Sequence, residues 1–129
     1  MIIHIESESE IPLYTQLTNQ IIEGIARGQL QSGDSLPSVR AFAADLGVNM
    51  HTVNKSYHEL EKKGIIRIVP KSGAVISSQE ERGKLQNISY QRVSMEFKPI
   101  IAEALVMGLS KEQVQEMVTS IINEIKPLK

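Results

Sequence analysis

Along the first half of the chain apolar residues recur at helical spacing; the rhythm then shortens to that of strands and lengthens again. Tyr14, Leu17, Ile21 and Ile25 stand three, four and four residues apart and form one stripe. They predict a helix from about Leu13 to Arg27, entered at Pro12, whose missing N–H costs nothing in a first turn. Gly28 ends it, and "QSGDSLP" reads as a loop. In "SVRAFAADL", Val39, Phe42, Ala43 and Leu46 share a face and Ser38 is the N-cap. The small alanines there allow a neighbouring helix to pack closely. Gly47 supplies a turn suited to positive φ. Asn49 caps a third helix that runs to about Lys63 and stops at Gly64. The inward side of that helix is Val53, Tyr57 and Leu60.

The texture changes at "IIRIVPKSGAVIS", where β-branched residues flank a Pro-Lys-Ser-Gly turn and predict a β-hairpin. "IIHI" at the start predicts a short strand, followed by the polar connector "ESESE". Beyond Ser78 the chain is again helical in character, with a kink or break expected before Pro99 and an end at Gly108. Ser110 with Gln113 makes a capping box for a last helix over about Lys111 to Lys126. Val114, Met117, Val118, Ile121, Ile122 and Ile125 give that helix a wide apolar face. The fold class is therefore mainly α with a small β-hairpin, and the second and third helices are joined by a turn of helix-turn-helix length. Two domains are expected, residues 1–78 and residues 79–129.

At about 100° per residue, His51, Lys55, His58 and Lys62 lie opposite Val53, flanked by Thr52, Asn54 and Glu59. That outer face carries hydrogen-bonding groups and cations with almost no apolar area. Asn can pair bidentately with adenine, and His or Lys can donate to guanine acceptors. Thr near a helix N-terminus can bind phosphate. A solvated helix face with an ordinary cap would look similar in isolation; its position as the second helix of a helix-turn-helix, before a basic hairpin, favours nucleic acid.

Charge sharpens this picture. The whole chain of 129 residues has a net charge of −1 and a pI of about 6.3, which alone argues weakly against nucleic acid. From Gly47 to Ser78, however, Lys55, Lys62, Lys63, Arg67 and Lys71 face only Glu59 and Glu61, a local surplus of three positive charges. Such a patch is a usable footprint for phosphate.

Other classes of function lack their signatures. No cysteine is present, so there is no disulfide framework and no thiolate nucleophile. His4, His51 and His58 have no metal-ligand spacing, and no GxSxG, Walker loop or paired carboxylate motif occurs. No enzyme activity, metal or cofactor is expected. No apolar run reaches a membrane span and the N-terminus has no secretory pattern, so a cytoplasmic protein without a membrane partner is expected.

The segment "GDSLPSVRAFAADLGVNMHTVNKSYHELEKKGII" resembles the DNA-binding domain of the GntR family of bacterial transcription regulators. The matching residues include Gly33-Asp34, Leu36-Pro37-Ser38, Arg40, Ala43, Leu46, Val48, Asn49, Thr52-Val53, Tyr57, Leu60-Glu61 and Gly64. The resemblance spans about Pro12 to Ser77 and implies a winged helix-turn-helix that binds double-stranded operator DNA as a homodimer. It implies that Ser38 and Arg40 are DNA contacts, Arg40 to phosphate or a base edge. It makes Asn49, His51, Thr52, Asn54 and Lys55 the reading set, with the wing tip at Lys71, Ser72 and Gly73 at or in the minor groove. Two positions depart from the pattern: Met50 stands where proline or arginine is common, and Lys71 replaces the first of two wing glycines. "AEALVMGLSKEQVQEMV" is similar to the C-terminal segment of the YtrA subfamily. That implies a helical dimerisation arm, here Phe97, Ile101 and Leu105 with the apolar face of the last helix, and a role as repressor, often of transporter genes. The alternative is a winged-helix module that holds a protein partner without touching DNA. Operator, regulated genes and any small-molecule effector stay unassigned by sequence.

Overall fold

Residues 3–126 are described by the computed structural model, and the chain divides into two units, Met1–Lys84 and Leu85–Lys129. The first unit contains α1 (Leu13–Ala26), β1 (Ser35–Leu36), α2 (Val39–Leu46), α3 (Met50–Lys62), β2 (Ile66–Val69), β3 (Gly73–Ile76) and the short α4 (Gln79–Gly83). The second contains α5 (Gln86–Val106) and α6 (Lys111–Ile125).

The three-helix core forms where the apolar stripes meet. Leu17 and Ile21 of α1, Phe42 and Ala43 of α2, and Val53, Tyr57 and Leu60 of α3 are buried together, with Leu36, Ile66, Ala74 and Ile76 of the sheet closing one side. Local signals set the helix limits. The Ser38 hydroxyl accepts from Ala41 N–H, and Gly47 ends α2 in the left-handed region at φ 71°. The Asn49 amide oxygen accepts from His51 N–H at 2.8 Å and caps α3, which starts at the next residue. A buried polar pair joins α1 to α3. Thr18 Oγ1 donates to Tyr14 O at 2.7 Å and lies 2.8 Å from Ser56 Oγ. Since Thr18 has one proton and gives it to Tyr14, Ser56 is the donor to Thr18.

The hairpin is there, but it is part of a larger sheet. Three antiparallel strands run in the order β1-β3-β2, with Leu36 opposite Ala74 and Ile68 opposite Ala74 on the other side. Ser35–Leu36 thus leaves the loop expected for "QSGDSLP". Two residues held by backbone bonds to a distant strand leave no periodicity to read.

Two other expectations are corrected. Residues 3–5 form no strand. Ile3 and Ile5 pack on the core, and side-chain amides replace the partner strand. Gln20 accepts from His4 N–H and donates to His4 O, while Gln16 donates to Glu6 O and Ile11 O. Met1 and Ile2 lie outside the described residues. In the second unit, α5 continues unbroken through Pro99. A proline in a helix interior removes one hydrogen bond and costs about 3 kcal/mol; the remaining turns of a 21-residue helix carry it. The capping box of α6 forms as expected, with Ser110 and Gln113 each bonding the other's backbone N–H.

Candidate nucleic-acid interface

Burial sorts α3 into two sides. Val53, Ser56, Tyr57 and Leu60 are buried. His51, Asn54, Lys55, His58 and Lys62 are exposed, and Thr52 is half-buried. The order of these positions in the sequence gives an outward face that begins at the helix N-terminus with an imidazole and an amide. Lys62, Arg67 and Lys71 are exposed along the same segment, whereas Glu61 is engaged: its carboxylate accepts from Ile68 N–H at 2.9 Å and ties the end of α3 to β2.

The two caps shape the N-terminal end of α3. Ser38 is half-buried and Arg40 exposed on α2. Val39, Asn49, Met50, His51 and Asn54 line one concavity where α2 and α3 both begin. The cap turns the Asn49 amide oxygen back onto its own helix, which leaves Asn54 as the better-placed amide for a bidentate contact. Lys55 is held toward α1, its Nζ 4.1 Å from the centre of the Tyr14 ring. At an exposed site such a cation–π contact is worth about 0.5–1 kcal/mol, so phosphate can displace it. The periodicity of α3 alone does not reveal Tyr14, because this partner comes from another helix.

The wing tip is narrower than expected. Ser72 N–H bonds to Val69 O at 3.0 Å, with Pro70 and Lys71 as the central residues. Lys71 has φ 67°, the left-handed value that position i+2 of a type II turn requires and that glycine normally supplies. Lys71 and Ser72 are exposed, but Gly73 is buried. A Cβ on Gly73 would sit 2.2 Å from Leu36 O and 2.7 Å from Pro37 O, and its φ is 108°. Gly73 therefore lets β3 close against the β1–α2 corner, and it is removed from the set of tip contacts.

That corner also receives α3. The Tyr57 hydroxyl donates to Pro37 O at 2.6 Å, and its ring tilts against Phe42 at 6.3 Å between centroids. Burial pushes the phenol pKa well above its ordinary value. One carbonyl thus marks the meeting point of the outward helix, α2 and the wing.

The residues expected to pair two chains are all on α5 and α6, and neither helix has a buried residue. Phe97, Leu105, Met117, Ile121 and Ile122 are exposed, Ile122 at 56%. Ile101, Val114, Val118 and Ile125 are half-buried. Sequence reasoning overlooked Ile88, Tyr90, Val93 and Ile100, which are also exposed. Tyr90, Val93 and Ile100 lie on the same side of α5 as Phe97 and Ile101, so helical spacing carries their signal, whereas Ile88 lies on the opposite side.

A polar, cationic helix face placed second in a helix-turn-helix, with a three-stranded wing beside it, defines a winged-helix DNA-binding transcription regulator. The chain belongs to the GntR family: the family described as "Bacterial regulatory proteins, gntR family" matches residues 13–76. Over 128 residues it is 34% identical to the transcriptional repressor YtrA of Bacillus subtilis, covering 96% of this chain and 95% of that one. The crystal structure of a transcriptional antiterminator from Listeria monocytogenes aligns with a TM-score of 0.81 at 27% identity, over 97% of this chain and 92% of that one. YtrA from Sulfolobus acidocaldarius, a GntR-family transcription factor, aligns with a TM-score of 0.57 at 47% identity, over 73% of this chain and 99% of that one. Among the described residues, no helix is long and apolar enough to cross a membrane.

Proposed function

We propose that two copies of this chain bind a two-fold symmetric operator and repress transcription by occupying it. The carrying observation is the division of α3 into a fully buried side and an exposed side of His51, Asn54, Lys55, His58 and Lys62. In this reading α3 lies in the major groove. His51 and Asn54 face base edges, while Arg40, Thr52 and Lys55 hold phosphates, and Ser38 and Asn49 present the two helix N-termini to the backbone. Lys71 and Ser72 approach the minor groove. The repressor assignment draws on the full-length likeness to a named repressor, and the protein acts by binding, without catalysis.

The exposed apolar residues of α5 and α6 support self-association, because a large apolar helix face is normally covered by a partner. Two-fold symmetry then places two reading helices about 34 Å apart, one turn of duplex or a multiple of it.

The test is operator binding by Arg40→Ala and His51→Ala, on DNA obtained by selecting bound genomic fragments. Each substitution is expected to weaken binding by about tenfold and to leave the unfolding temperature unchanged. Log K for the unaltered protein should fall linearly with log salt. Unchanged binding by both variants, or affinity independent of salt, overturns the reading and favours a protein partner.

A further inference from the structure

Met50 breaks the rule that the rest of the first unit follows. Among the described residues of that unit, only Ile11 and Met50 are large hydrophobic side chains left exposed, Met50 at 45%. It stands at the first position of α3, directly after the Asn49 cap. It is also not alone: Val39, the first residue of α2, lines the same concavity, with Asn49, His51 and Asn54 around them. Two helix starts therefore combine to present an apolar spot within a ring of amides and an imidazole.

The N-terminal residues of a helix lying in the major groove meet base edges. Across that groove the base edges offer hydrogen-bond donors, acceptors and one apolar group, the C5-methyl of thymine. A thioether on three rotatable bonds adapts its shape to such a methyl, and Val39 supplies a wall behind it. We infer that Met50, backed by Val39, reads a thymine methyl group once in each half-site. This rests on the operator-binding reading above and adds to it a base preference carried by an apolar contact. His51 and Asn54, on either side, act on neighbouring edges through hydrogen bonds.

The chemistry allows a change of a single group. Deoxyuridine keeps every hydrogen-bonding atom of thymidine and lacks only the methyl. Removal of one buried methyl is expected to weaken binding about fourfold per half-site, and about fifteenfold when both symmetric positions are replaced. The experiment replaces thymines of the selected operator by deoxyuridine, one symmetric pair at a time, and measures affinity for the unaltered protein, Met50→Ala and Met50→Leu. One pair should weaken the unaltered protein and Met50→Leu by that factor and leave Met50→Ala indifferent. Equal sensitivity of all three proteins at every pair overturns the inference, as does a selected half-site without thymine. Should Met50→Ala bind too weakly to measure, Met50→Gln replaces it; loss of the deoxyuridine effect supports the inference and its persistence overturns it. Failure of the unaltered protein to select any DNA would instead defeat the operator-binding reading.

Discussion

The two units use their apolar residues in opposite ways. In the first, the stripes of α1, α2 and α3 and the inner face of the sheet are buried against one another. In the second, α5 and α6 bury nothing completely, and Tyr90 and Val106 stand 75% and 83% exposed. The polar groups follow the same division. Thr18, Ser56 and Tyr57 are buried with partners in the first unit, whereas α5 and α6 have no buried polar residue. The first unit therefore carries its stability within one chain, and the second has its apolar surface available for another molecule.

The largest effect is expected where the second unit is attacked. Phe97→Asp combined with Ile122→Asp places charge in the apolar surface and should weaken self-association by about 5 kcal/mol or more, read by sedimentation equilibrium. The unfolding temperature of the first unit should not move. A dimer that survives both changes would show that the apolar surface of α5 and α6 is not the interface. In the first unit, Tyr57→Ala should cost about 4 kcal/mol of stability in denaturant titration, the usual loss for a buried aromatic, with association unaltered. Gly73→Ala should cost about 2–3 kcal/mol, from left-handed backbone and from collision with the β1–α2 corner.

Smaller changes sharpen the same contrast. Tyr57→Phe leaves the Pro37 carbonyl without its donor and should cost about 1–2 kcal/mol at neutral pH. Because the folded phenol pKa lies above its ordinary value of 10.0, the unfolded chain ionises first. The stabilisation is complete below that pH and declines above it, by about 1.4 kcal/mol per pH unit. Tyr57→Phe should flatten that alkaline decline in pH-dependent unfolding. Lys71→Gly relieves a left-handed lysine and should stabilise the first unit by about 1 kcal/mol. If the wing tip touches phosphate, the salt slope of operator binding should fall by about one per subunit.

Much of the first unit was legible because its signals are local. The stripe of α1, the Ser38 and Asn49 caps and Gly47 place three helices within a residue or two of their observed limits. The outward face of α3 followed by subtraction, once Val53, Tyr57 and Leu60 were read as core. Contacts made across the fold were not legible. The pairing of β1, the Gln20 clasp on His4, the Lys55–Tyr14 contact and the burial of Gly73 each join residues far apart in sequence and leave no periodic mark. Of the kink or break expected at Pro99, the break is absent: proline weakens a helix locally, and the turns on either side outweigh that loss.

The crowding at Gly73 sets a practical limit on how this wing can be altered. Pro70, Lys71 and Ser72 form a short exposed turn; the Ser72 side chain can be exchanged freely, whereas Pro70 and the left-handed Lys71 also carry the turn geometry. Gly73 fixes the point at which that turn is mounted, since even a methyl there would push against the same corner that Tyr57 grips. Changes to the wing tip should therefore leave Gly73 untouched, because any side chain there meets the backbone of Leu36 and Pro37, the residue whose carbonyl receives the Tyr57 hydroxyl.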